Sequence, residues 1–230
     1  MKNASNYRRW LFDQVSPHIG KRVLEIGAGI GNYTQFLVDA DVTVCVEIHP
    51  EAVALLKERF RSNPKVFVYH GDVADPALRS LAEHRCDTAI CFNVLEHVEQ
   101  DVTALKNIAD ILVPGGRLLL IVPALSSIFS PVDRALGHYR RYSVSSLRRS
   151  LDQAGYHVEH ISWMNLLGIM GWLYNGHILR RNEESHGQII FYDRVIVPWL
   201  RILERVIRPP IGLSLVCVAK SVLRQPTNAL

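Results

Sequence analysis

In VLEIGAGIGNYT (23–34) an acidic residue precedes three alternating glycines, so that Glu25, Gly27, Gly29 and Gly31 spell E-x-G-x-G-x-G. Glycines where a strand hands over to a helix permit positive φ and let a ligand approach the backbone without a Cβ in the way. A dinucleotide fingerprint G-x-G-x-x-G would need glycine at position 32, where Asn32 stands. A carboxylate built into such a turn repels a pyrophosphate and suits a ligand carrying a positive ammonium or sulfonium. Two more carboxylates follow at related places. Glu47 closes the next apolar run 20 residues after Gly27, the offset at which an acidic group accepts both ribose hydroxyls. Asp72, in HGDVAD, follows a third run and is placed to accept an adenine amino hydrogen. Each alone reads equally as a helix cap or a solvent-facing strand end. Three at successive strand ends form a ligand crevice.

The elements that must position these groups alternate. Short apolar runs at 22–26, 42–48, 66–69, 87–92 and 117–122 read as strands, separated by helix-sized segments at 32–40, 50–60, 76–83 and 101–112. Pro50 suits a first helical turn. Such alternation predicts right-handed crossovers and a parallel sheet covered by helices on both faces. Beyond Val122 the rhythm breaks. Residues 123–142 show no period, and 143–155 read as a helix capped by Ser143 or Ser145 and closed at Gly155. A sixth strand is expected at 156–162 and a seventh at 213–219. No repeat or linker divides the chain, so one domain over 1–230 is expected, with a core at about 20–122 and insertions at about 123–142 and 164–210.

Residues 22–122 resemble a class I S-adenosylmethionine-dependent methyltransferase of the small-molecule type. CFNVLEHVEQD (91–101) and LVPGGRLLLIVP (112–123) resemble that family's fourth- and fifth-strand segments, and LSLVCVA (213–219) its reversed last strand. The resemblance implies a doubly wound, Rossmann-like α/β fold. Its seven-stranded sheet is mostly parallel, with helices on both faces and the last strand antiparallel. It implies S-adenosyl-L-methionine as cofactor, with Glu25, Gly27 and Gly29 around the methionine portion and Glu47 on ribose. Asp72 and Val73 would meet adenine and the backbone near Asn93 the ammonium, while Ala28, Gly31 and Ile48 complete the set. The helix expected before the first strand could bring Tyr7 or Trp10 over the cofactor, with Trp10 read foremost as core.

Methyl transfer from a sulfonium is an in-line displacement, in which the protein mainly brings the acceptor atom to about 3 Å from the methyl. A hydroxyl or ammonium acceptor must lose a proton, and histidine is the usual agent. His97, following the fourth strand, and His138, in GHYRRYS, are the candidates; the plainer role for His97 is to fix its loop by bonding Glu96 or a carbonyl. Tyr139, Arg140, Arg141 and Tyr142 form a candidate acceptor wall, the arginine pair gripping a carboxylate or phosphate. His157 and His160 show no ligand spacing, His84 and His186 read as surface, and no metal is implied.

Residues 189–208 carry Asp193, Arg194, Arg201, Glu204, Arg205 and Arg208 on one broad stripe, with a kink expected at Pro198. Packing over the sheet edge is the leading reading. An apolar roof over a lipid-like acceptor, a helix lying on a bilayer surface and a homodimer face are the alternatives, all through 164–210. With 26 basic and 22 acidic residues the net charge of +4 is too mild to argue for nucleic acid, and Asn93-Val94-Leu95-Glu96 lacks the Asn/Asp-Pro-Pro-aromatic turn of base-amino methyltransferases. Four cysteines in apolar runs and an N-terminus without an apolar signal stretch point to a reducing, cytoplasmic setting. A small-molecule O-methyltransferase, less readily an N-methyltransferase, is the function expected. The rivals are a non-catalytic cofactor-binding module and a nicotinamide-dependent oxidoreductase.

Overall fold

The computed structural model describes residues 4–174 and 186–222. Its strands are β1 (Arg22–Ile26), β2 (Val42–Glu47), β3 (Val66–His70), β4 (Thr88–Phe92), β5 (Arg117–Pro123), β6 (Tyr156–Met164) and β7 (Ser214–Ser221). They form one sheet in the order β3-β2-β1-β4-β5-β7-β6. The first five pair in parallel, and β7 slots antiparallel between β5 and β6, so only β7 runs against the rest. The helices are α1 (Ser5–Val15), α2 (Pro50–Arg59), α3 (Asp101–Ile111), α4 (Pro131–Ala135), α5 (Val144–Gln153), α6 (Gly168–Leu173), α7 (His186–Phe191) and α8 (Val197–Val206).

The continuous apolar strands are explained by burial on both faces. Side chains alternate along a strand, so Leu118 and Leu120 of β5 enter a core with Leu24, Cys91, Leu105 and Ile108 of α3, and Leu147 of α5. Leu119 and Ile121 enter the opposite core with Trp10, Leu11 and Val15 of α1 and Val197 and Leu200 of α8. Trp10 is therefore core, wholly enclosed, and the four cysteines are buried free thiols. Strand order reverses between β1 and β4, and the carboxyl ends of these strands open a crevice at the switch point.

Four expectations need correction. Residues 32–40 do not form an α-helix. Only a single 3-10 turn, Thr34–Phe36, is present, with Phe36 N–H bonded to Tyr33 and Leu37 N–H to Thr34 three residues back. Here the Thr34 hydroxyl is drawn onto Glu25 and the Gln35 amide onto the Asn32 carbonyl, which competes with helical continuation. The helix at 76–83 is likewise of 3-10 type, spanning Pro76–His84. His84 is not at the surface: its Nε2 lies 2.7 Å from the Tyr69 hydroxyl, whereas the His186 side chain falls outside the described residues. Finally, 189–208 does not kink at Pro198. Pro198 sits in the first turn of α8, where its missing N–H costs nothing, and the break is a π turn at Tyr192–Ile196 just before it. The cap of α5 is Ser143, whose Oγ accepts from Ser146 N–H, and Gly155 closes that helix at φ +79°.

Candidate functional site

The turn after β1 is held against β2. Gly27 and Ala28 donate to the Val46 carbonyl, and Gly29 N–H donates to Glu47 Oε2 at 2.7 Å, while His49 N–H donates to Glu47 Oε1 at 2.9 Å. Gly27 has φ +71°, and a Cβ there would meet Val94 Cγ2 at 2.3 Å; at Gly29, φ +56°, a Cβ would meet nothing within 4 Å. Gly27 thus admits β4's following loop, and Gly29 faces open space where a ligand fits. Ala28 turns into a small core with Cys45 and Leu56, and Gly31 backs onto Leu56 and Phe60, so these two shape the turn from behind. Ile48 is exposed beside Glu47. Asp72 is exposed with Oδ1 accepting from Ala74 N–H, and buried Val73 offers its carbonyl to Asn107.

Glu25 departs from a plain surface carboxylate. It is buried, with Oε2 accepting from the Thr34 hydroxyl at 2.7 Å and Oε1 without a hydrogen-bond partner among the described residues. Its side chain lines a narrow crevice with Gly27, Tyr33 and Phe92. Burial pushes its carboxyl up to about 7, against the opposing pull of Thr34 and Cys45. The sequence-expected negative charge is therefore only partly present at neutral pH, and a cationic group at Oε1 would draw it out. A folded-state value raised above the ordinary 4.5 favours the fold most at low pH, and that advantage fades as pH rises through about 7. Glu25→Gln, which cannot ionise, is accordingly expected to gain stability relative to the parent from pH 5 to pH 8. Urea unfolding across that range checks this, and a pH-independent difference would remove Glu25 from the titration.

Asn93, ending β4, holds the left-handed conformation at φ +52° with its N–H on the Ile121 carbonyl. Asn93 follows Phe92 of that crevice and itself lines a cavity of about 520 Å³ with Glu96, His97, His138 and Arg141. Tyr7, Asn165, Trp172, Phe191 and Tyr192 line the same cavity. The two candidate histidines, 41 positions apart, pack edge to face with ring centroids 4.7 Å apart. Glu96, His97 and His138 have ligand-type atoms all within 4.8 Å of one another, a convergence that the expectation of no metal ligands did not foresee. Burial raises Glu96 to about 8, and burial followed by the neighbouring His138 lowers His97. His138 Nδ1 lies 2.9 Å from Oδ1 of the fully buried Asp133, which also accepts from Arg141 Nε at 2.8 Å and from Ser130 N–H at 2.8 Å. Hydrogen bonds from His138 and Arg141 outweigh burial and hold Asp133 below the usual carboxylate range.

Only one residue of the proposed acceptor wall lines this cavity. Arg141 donates to Asp133 and to the Ala124 carbonyl and lies over the Trp172 ring at 4.1 Å. Arg140 instead pairs with Asp101 Oδ1 at 2.9 Å, and the Tyr142 hydroxyl donates to Asp101 Oδ2 at 2.9 Å in the core; Tyr139 is exposed. The reason is local. Tyr142 bridges in parallel to Ala124, so this stretch is extended, and residues 140 and 142 point one way while 141 points the other. The adjacent arginines therefore do not form one grip.

The charged stripe at 189–208 divides: Asp193 is buried and Arg201 and Glu204 are part-buried, whereas Arg194, Arg205 and Arg208 are exposed. Asp193 is buried and accepts from the Tyr7 and Asn6 N–H groups at the start of α1. Glu204 accepts from Asn165 and Leu166 N–H, and Arg201 pairs with Asp13. The outward face of α8 is apolar instead, with Trp199 75% and Val206 79% exposed beside Ile202 and Leu203. Among the described residues no helix is long and apolar enough to cross a membrane. Sequence reasoning missed Asp133, Asn165 and Glu96 as members of this site; Glu96 entered only as a bonding partner for His97.

Comparison with known proteins bears on this geometry. Residues 24–118 match the family model described as a methyltransferase domain. An uncharacterized methyltransferase of Mycobacterium bovis is 28% identical over 131 residues, 56% of this chain and 50% of its own. A protein of Mycolicibacterium smegmatis named as a probable S-adenosylmethionine-dependent methyltransferase is 27% identical over 179 residues, 76% of this chain and 64% of its own. The chain thus spans about half to just under two thirds of the length of these relatives. The structure of an S-adenosylmethionine-dependent methyltransferase from Mesorhizobium loti superposes with a TM-score of 0.61 at 12% identity, covering 92% of this chain and 97% of that one, and shares the fold.

Proposed function

With a class I S-adenosylmethionine-dependent methyltransferase domain at the core of this chain, we propose that the protein transfers the cofactor's methyl group to an oxygen of a small, partly apolar, anionic acceptor. The observation that carries this reading is the cavity of about 520 Å³ walled by Asn93, both histidines and Arg141, with Asn93 next in sequence to Phe92 of the crevice at Glu25 and Gly27. S-adenosylmethionine is the cofactor of such a domain, and it supplies an electrophilic methyl on a positively charged sulfur. The residues present fit it: Glu25 Oε1 is an orphaned buried acceptor beside Gly27, and Gly29 leaves its side of the turn open. Glu25 and the turn would hold the methionine portion, Glu47 the ribose, Asp72, Val73 and Ile48 the adenine, and the backbone at Asn93 the ammonium.

On the acceptor side, the Arg141 guanidinium uses Nε and Nη1 within the protein and keeps Nη2 for an acceptor anion. The Trp172, Phe191 and Tyr192 rings exclude water from the remainder. The hydroxyl must lose a proton as it attacks, and His97 and His138, side by side at this wall, are the groups that take it. Nitrogen acceptors fit the same wall less well, since Arg141 repels an ammonium.

The apolar outer face of α8, next to exposed Arg205 and Arg208, supports a lipid-like acceptor reached at a membrane surface. The protein is expected to float with anionic vesicles and to lose that binding in Trp199→Ala. Gel filtration showing a dimer and no flotation would assign the face to a second copy instead.

The reading is tested by supplying labelled methyl donor to the protein with a metabolite and lipid extract, products being separated by mass. Label in an apolar acid or phosphate ester is expected. Cofactor binding with no labelled product would leave a non-catalytic binding module. Glu47→Ala is expected to weaken cofactor binding by about 1–3 kcal/mol, since it strips hydrogen bonds from ribose and from Gly29. Unchanged affinity in calorimetry would refute the ribose assignment.

A further inference from the structure

The histidine wall carries more than a proton acceptor. Glu96 is 1% exposed, and its Oε2 has no hydrogen-bond partner among the described residues. A buried carboxylate oxygen without a donor is costly, and it is ordinarily met by a proton donor, a water or a cation. Two imidazoles stand next to it, with ligand atoms of all three residues within 4.8 Å of one another. Ligands around one ion at about 2.0–2.2 Å lie roughly 3–3.5 Å apart in a tetrahedral or octahedral shell, so a small turn of the exposed His97 ring closes the set. His138 is already held: its Nδ1 donates to Asp133 at 2.9 Å, which leaves Nε2 with an unused lone pair. A carboxylate behind a histidine is the recurrent outer support of a metal ligand.

We propose that Glu96, His97 and His138 bind one divalent cation of the zinc, iron(II), manganese or cobalt type, which carries the acceptor oxygen. The donor set of two imidazoles and one carboxylate suits these ions and not calcium, and three protein ligands leave coordination positions open for the acceptor. With the cation in place the two imidazoles are its ligands and no longer the proton acceptors: a hydroxyl bound to the ion loses its proton near neutral pH, and the proton passes to solvent. The resulting oxygen forms its bond to the methyl carbon as the carbon–sulfur bond breaks and its electron pair stays on sulfur. This role rests on the methyltransferase reading, whereas the cation site itself does not.

The test uses the full chain, stripped with a chelator and titrated with Co2+ while visible ligand-field absorption is recorded, with S-adenosylmethionine calorimetry on the same samples. One equivalent of Co2+ with imidazole-type bands is expected. His97→Ala and Glu96→Gln are expected to lose it, Asp133→Asn to weaken it about 10- to 100-fold, and all three to keep cofactor affinity. His97 is exposed, so its removal tests the site even if the buried Glu96 variant fails to fold, which circular dichroism would show. Co2+ binding that is absent, or equally strong in His97→Ala, would overturn the proposal. Cofactor binding without Co2+ binding would defeat this inference alone; Co2+ binding without cofactor binding would defeat the methyltransferase reading and leave the cation site standing.

Discussion

Asp133→Ala is expected to lower the unfolding free energy by about 3–5 kcal/mol, the range for a buried ion pair that loses one partner. Asp133 is fully buried and accepts from Arg141, His138 and Ser130 at once. Alanine would leave a guanidinium 5% exposed with only the Ala124 carbonyl and the Trp172 face to satisfy it. The capping box of α4 would go too, because Asp133 is its third helical residue. Urea denaturation provides the measurement, with Arg140→Ala as comparison. The Arg140–Asp101 pair is part-exposed and screened, so that variant is expected to lose about 1 kcal/mol or less. Equal losses in the two would show that the Asp133 cluster is no more than a surface pair.

His97→Ala is expected to reduce turnover of a hydroxyl acceptor by about 10²- to 10⁴-fold, the usual contribution of positioned proton transfer. Cofactor affinity and fold are expected to stay unchanged, because the ring is exposed at the cavity, whose lining does not include the Gly27–Gly31 turn. Both a proton-accepting imidazole and a cation-binding one predict this loss. Adding imidazole back to the variant, together with Co2+, separates them: rescue that requires the cation assigns His97 to the cation. Unaltered turnover would reduce His97 to support of the loop after β4.

The sheet was legible in the sequence because its strands are buried on both faces. RLLLIV and VTVCVEI, bounded by Pro-Gly-Gly or by charged turns, have few other places to go. The reversed β7 came from resemblance, and the order of the sheet was not read from the sequence at all, since periodicity says nothing about which strands are neighbours. Glu25, Gly27, Gly29 and Glu47 were singled out by residue type and offset along alternating strands, and Asn93 by resemblance alone. The acceptor wall was not. Arg140 and Arg141 read as a pair, yet extended backbone separates them, a separation that a strand period across 139–142 would have suggested. Asp133 lay in a stretch without period, and its partners at 138 and 141 become neighbours only because α4 and the turn after it fold back. The charged residues at 193, 201 and 204 were read as one stripe with 194, 205 and 208 on a segment expected to pack over the sheet edge. Their inward aim depends on α1, which is remote in sequence, and on Asn165.

The bond between Asp193 and α1 has a mechanical consequence. The Tyr7 and Asn6 amides at the head of α1 rest on Asp193, and the Tyr192 hydroxyl donates to Asn165, which in turn reaches the Tyr7 hydroxyl. The first helix and the Tyr192–Asp193 turn beside the cavity are thereby latched across 186 positions of chain. A load that lifts one must lift the other, so hydrogen exchange at these amides should report a single shared opening at the cavity's rim.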